Sequence, residues 1–105
     1  MVNPVRGETV LHANGQSYPM KLTLGALAVL EGELGTGGLI GLAERFETGG
    51  FGGQDLIALL AAGLRGGGAE IDTDAVAAFD FDGGVIGAAE AASDLLALTF
   101  RGVGT

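Results

Sequence analysis

Gln54-Asp55-Leu56-Ile57-Ala58-Leu59-Leu60-Ala61-Ala62-Gly63-Leu64 is the most apolar run in the chain. Leu56, Leu59, Leu60, Gly63 and Leu64 fall at i, i+3, i+4, i+7 and i+8, the spacing of one helix face. Ile57, Ala58, Ala61 and Ala62 fill most of the remaining positions. A helix apolar nearly all round must be covered on several sides. The run therefore predicts a central helix over about 54–65, with the other elements packed around it. Asp55 suits the positive end of the helix dipole, and Arg65 the negative end. Gly66-Gly67-Gly68 reads as its terminator.

Working towards the N-terminus, Thr9-Val10-Leu11 precedes Asn14-Gly15 and Tyr18-Pro19-Met20 follows it. Asn-Gly is the pair a type I′ turn prefers, because both central residues need positive φ. The stretch predicts an antiparallel hairpin over about 8–22. Tyr18, Met20 and Leu22 would point to one face, and Ser17, Pro19 and Lys21 to the other. Pro19 cannot donate to a ladder and marks an edge. Such a hairpin is marginal alone, so its apolar face must rest on helices. Thr23 is a good N-cap for a helix over 24–34. Leu22 and Leu27 stand at the positions of a hydrophobic staple, and Leu27, Leu30 and Leu34 form its apolar face. Leu39, Leu42, Ala43 and Phe46 predict a short helix over 39–46.

Beyond the central run, Asp72 or Thr73 can cap a helix over about 74–79, with Val76 and Phe79 facing the core. A last helix is predicted over 85–100. Val85, Ala88, Ala89, Ala92, Leu96 and Thr99 mark its packed stripe, and the alanines allow close approach to another helix. The expected fold is α+β: one domain over 1–105, an N-terminal antiparallel hairpin packed on four to five short helices. Clusters of glycine between periodic segments read as loops.

Composition excludes several kinds of function. Thirteen Asp and Glu against five Lys and Arg give a net charge of −8. An acidic surface repels phosphate backbones and anionic membrane faces, so no nucleic-acid or membrane partner is expected. No apolar run is long enough to span a bilayer, and Pro4, Arg6, Gly7 and Glu8 stand where a signal peptide needs its apolar region. The chain has no cysteine. Disulfides and thiolate metal sites are therefore excluded, which fits a reducing cytoplasm.

No chemical motif is complete. Lys21 is the only lysine and follows no Walker loop. Gly35-Thr36-Gly37-Gly38-Leu39-Ile40 carries isoleucine where a dinucleotide fingerprint needs its third glycine. EF-hand registers begun at Asp72 or Asp80 place Ala77 or Val85 at the glycine position, and Gly83 or Ala91 at the glutamate position. His12 is the only histidine, and no nucleophile elbow accompanies Ser17 or Ser93. The expectation is a protein without catalytic, cofactor or metal residues. What remains is apolar surface. Phe46, Phe51, Leu95, Leu98 and Phe100, on the glycine-rich link and along two helices, are the candidate partner-binding residues.

The order of parts carries a resemblance. A hairpin leads through Tyr18 and Leu22-Thr23 into Ala26-Leu27-Ala28-Val29-Leu30-Glu31 and ends at Leu34-Gly35. A short helix follows, and then Asp55 to Arg65. This resembles the small tail assembly chaperone family of phages and alphaproteobacterial gene transfer agents, sometimes labelled as tail-tube related, over roughly residues 4–100. The glycine clusters at 49–53 and 66–68 depart from the family pattern. The resemblance implies a non-enzymatic role with the tape-measure and tail-tube proteins as partners, without a cofactor, and with a homo-oligomer open. It supplies no catalytic residues. The alternative is a structural component of the tail tube or its joint, although tube subunits usually need a larger sheet than two strands.

Overall fold

The structure, a computed structural model, describes residues 8–34 and 38–103. Two strands, β1 (Thr9–Ala13) and β2 (Gln16–Met20), precede five helices: α1 (Leu24–Leu34), α2 (Gly38–Thr48), α3 (Gly53–Gly66), α4 (Thr73–Ala77) and α5 (Gly84–Val103). The α+β architecture expected from the sequence is therefore present, with the element boundaries displaced by a few residues. The largest displacements are in α4, which stops at Ala77 and leaves Phe79 outside it, and at the C-terminal end of α5.

The hairpin turns at Asn14 (φ 55°) and Gly15 (φ 72°), the two positive dihedrals its connection requires. Ala13 pairs with Gln16, Leu11 with Tyr18 and Thr9 with Met20. Counting outward from the turn, Val10 and Pro19 form a non-hydrogen-bonded pair, so the N–H that proline lacks belongs to the outer edge of β2. Leu11, Ala13, Met20 and Leu22 are buried on the inner face, as the alternation predicts.

The outer edges of the hairpin are partly taken by other segments. On β1, the Asn14 N–H donates to the Asp80 carbonyl (2.8 Å) and the Asp82 N–H donates to the His12 carbonyl (3.0 Å). Asn14 Oδ1 also accepts from the Asp80 N–H at 2.8 Å, so one turn residue clasps residue 80 twice. Ala13 and Phe81 complete this with an isolated antiparallel bridge. Just beyond β2, the Lys21 N–H donates to the Gly63 carbonyl at 2.9 Å.

Helix α3 is the centre of the packing and touches α1, β2, α4 and α5. Leu56, Leu59, Leu60 and Leu64 are all buried, as are Ala58, Ala61 and Ala62. Each fully buried leucine is worth about 2 kcal/mol against exposure. The glycines at its C-terminal end are contact surfaces as well as a stop. A Cβ on Gly66 would collide with the Lys21 carbonyl oxygen, one on Gly67 with the Pro19 carbonyl oxygen, and one on Gly63 would lie 3.3 Å from the Met20 sulfur. The end of β2 and the residue after it therefore lie directly on a glycine face of the helix, which ends at Gly67 and Gly68 (φ 107°).

The caps follow the sequence. Thr23 Oγ1 accepts from the Ala26 N–H at 3.1 Å, and Asp72 Oδ1 accepts from the Ala75 N–H at 2.9 Å. Asp55 is buried and accepts from the Gly52 N–H at 2.9 Å with one oxygen and from Arg45 Nη1 at 2.8 Å with the other. That ion pair fastens α2 to the start of α3. One sequence expectation fails. Val85 is 74% exposed, because the stripe of α5 becomes buried only from Ala88 onward.

Candidate functional site

Helix α2 is held by few contacts. Leu42 is its buried anchor, and Phe46 stacks on Phe51 with ring centroids 4.4 Å apart and parallel planes. Together with the Arg45–Asp55 pair, these hold α2 against the start of α3, and the space between α2 and α5 stays open. The result is an open apolar groove of about 500 Å³. From α2 it is lined by Ile40, Ala43 and Phe46, and from α5 by Leu96 and Ala97, with Ser93 beside them. Ile40, Ala43, Glu44 and Glu47 stand at i, i+3, i+4 and i+7, so one face of α2 supplies both an apolar wall and an acidic rim. Leu96 is buried beneath, whereas Ile40 is 67% exposed.

A second hollow of about 380 Å³ lies where α1 crosses the end of α3. Thr23, Gly25 and Val29 border it on one side, and Ala62 and Arg65 on the other. Arg65 Nε donates to the Ile71 carbonyl at 2.8 Å, so this arginine also secures the connector that follows α3.

The structure separates the five residues selected from the sequence. Phe46 and Phe51 come together, half-buried, at the foot of α2, and Phe46 borders the groove. Leu95 is a correction. It is completely buried, because Gly63 of α3 leaves room for its side chain, and it belongs to the core. Leu98 is half-buried on α5, and the side chain of Phe100 lies outside the described residues. Ile40 and Ala97 were missed. In sequence Ile40 lies off the repeat of Leu39, Leu42, Ala43 and Phe46, and an apolar residue off that repeat is the signal that would have found it.

The polar residues form local structure. His12 Nδ1 and Ser17 Oγ are 3.0 Å apart across the exposed face of the hairpin. Among the described residues no three His, Asp or Glu side chains are grouped closely enough to hold a metal ion. Tyr18, Phe79 and Phe81 form an aromatic row, with centroids 5.2 and 5.9 Å apart, that covers the junction between the hairpin and the segment after α4.

The arrangement suits contact with another protein: apolar grooves on a small acidic body, built on a hairpin and five helices. The phage tail tube protein family described as GTA-gp10 matches residues 6–102. The chain belongs to this family. The match spans the hairpin and nearly all of the helical part, including both walls of the groove. No match is found among curated proteins or solved structures. The phage and gene-transfer-agent relationship expected from the sequence is thus the correct one, and the family's description names the tail tube. Among the described residues, no helix is long and apolar enough to cross a membrane.

Proposed function

We propose that this chain is a non-enzymatic component of the tail tube of a phage-like particle, or of the joint at its end, and works through protein contacts. The observation that carries this reading is the family match over residues 6–102. The open apolar groove supports it, since exposed apolar surface rimmed by polar groups marks protein contact sites.

A second reading has an observation of its own. The described sheet has two strands, and its outer edges are partly occupied by residues 80–82 and by the end of α3. So small a sheet offers few strands for joining sheets between subunits. That favours a tail assembly chaperone, which would bind the tape-measure protein, the tube protein or both in the bacterial cytoplasm and leave before the particle is complete. Quantitative mass spectrometry of purified particles separates the two. Copies in fixed ratio to the tube protein support the component, and absence from particles supports the chaperone. If the co-expressed tube and tape-measure proteins both fail to bind the chain and particles lack it, both readings fail.

A further inference from the structure

The groove between α2 and α5 has a chemistry that specifies its occupant. Its walls are apolar, with Ile40 largely exposed above a buried Leu96. Its rim is acidic. Glu44 and Glu47 border it from α2, and Glu90 stands one turn before Ser93 on the same stripe of α5. The one arginine of α2, Arg45, is turned to Asp55 and neutralised there. An apolar groove walled by two helices is a setting in which a third helix lays its apolar face. Leu42, the Phe46–Phe51 stack and the ion pair position α2.

We propose that this groove seats an α-helix of a partner protein whose apolar face is flanked by lysine or arginine. The groove buries the apolar face, and the basic flanks meet Glu44 and Glu47. A second copy of the chain is the wrong occupant. It carries five Lys and Arg against thirteen Asp and Glu, and its approach would set acid against acid at the rim. The proposal rests on the reading of the chain as a tail protein that works by protein contact, and it adds the contact surface and the partner's chemistry.

The test uses the full chain and two synthetic amphipathic helices of about five turns. Both carry leucine at i, i+3, i+4 and i+7. One has lysine at the remaining positions and the other has glutamate. Fluorescence anisotropy gives affinity, and amide chemical shifts give location. The lysine helix is expected to bind and to shift Ile40, Ala43, Ser93 and Ala97, while the glutamate helix does not bind. Glu44→Lys combined with Glu47→Lys should weaken the lysine helix by about tenfold or more. Glu70→Lys combined with Asp74→Lys makes the same change in net charge at exposed positions away from the groove, and should change affinity by no more than about twofold. Ile40→Ser should cost about tenfold through lost apolar burial.

Failure of the lysine helix to bind overturns the proposal. So do equal binding of the two helices, equal losses in the two charge variants, and shifts confined to the hollow beside Val29. Each result is distinguishable from failure of the tail reading. Particles that contain the chain, together with a groove that binds no peptide, leave that reading standing and remove only the groove. A chain absent from particles that still prefers the lysine helix removes the tube component and keeps the groove.

Discussion

Gly66→Ala should destabilise the protein, although the same change in an exposed helix stabilises it. On helix propensity alone, replacing glycine by alanine gains about 0.5–1 kcal/mol. At Gly66 the new Cβ would overlap the Lys21 carbonyl oxygen and lie 3.0 Å from the carbonyl carbon and 3.4 Å from the Thr23 nitrogen. These are backbone atoms and cannot rotate away. Relief requires the chain after β2 to lift from α3, which stretches the Lys21–Gly63 hydrogen bond from 2.9 Å. Losing that bond costs about 1 kcal/mol. Disturbed packing around Met20 and Leu22 adds about 1–3 kcal/mol. After the propensity gain is subtracted, the net loss is about 1–3 kcal/mol. Gly32→Ala is the control. A Cβ there meets nothing within 4 Å and its φ is not positive, so it should gain about 0.5–1 kcal/mol. Urea unfolding followed by far-UV circular dichroism measures both variants, with midpoints moving in opposite directions. A Gly66→Ala protein as stable as the parent would show that the glycine face is not a packing contact, and the reasoning would fail.

Three further outcomes are expected. Asn14→Gly keeps a residue at ease with positive φ but removes the side-chain bond to the Asp80 N–H, and should cost about 1 kcal/mol. Asn14→Ala adds strain at φ 55° and should cost more, so equal thermal midpoints for the two variants would refute the turn assignment. Asp55→Ala removes both the cap of α3 and the partner of Arg45. A loss of about 1–2 kcal/mol is expected by urea titration, while a double-mutant cycle with Arg45→Ala should assign less than about 1 kcal/mol to the half-exposed ion pair itself. Leu60→Asp buries a carboxylate at a fully buried position and should abolish cooperative unfolding. A variant with normal near-UV dichroism that lost only partner binding would place this helix at an interface.

Local signals in the sequence carried much of the fold. Asn14-Gly15 announced the turn, Thr23 and Asp72 the caps, and the leucine spacing of 56–64 the central helix. Each depends on residues within a few positions, which is the range over which capping, turn and periodicity rules operate. Contacts between distant segments were not legible. Gly66 and Gly67 look the same in sequence whether they merely stop a helix or receive a strand, and only the position of Lys21 and Pro19 distinguishes the two. The same holds for Leu95 and Ile40. Both are large aliphatic residues on amphipathic helices, yet one fills the space left by Gly63 and the other borders an open groove. Ile40 is exposed because α2 and α5 do not close on each other, which no pattern within either helix specifies.

The clasp between Asn14 and residue 80 also bears on the order in which the chain folds. The hairpin is made before its anchors, which lie far downstream, at Gly63 and across a separation of 66 residues at Asp80. A two-stranded ribbon has little stability of its own, and closing so long a loop delays its reward. Of the described elements, the hairpin is made first and is therefore expected to be among the last to become fixed. Until α3 and α5 emerge, the face of Leu11, Met20 and Leu22 waits uncovered, and over that interval the nascent chain is exposed to aggregation.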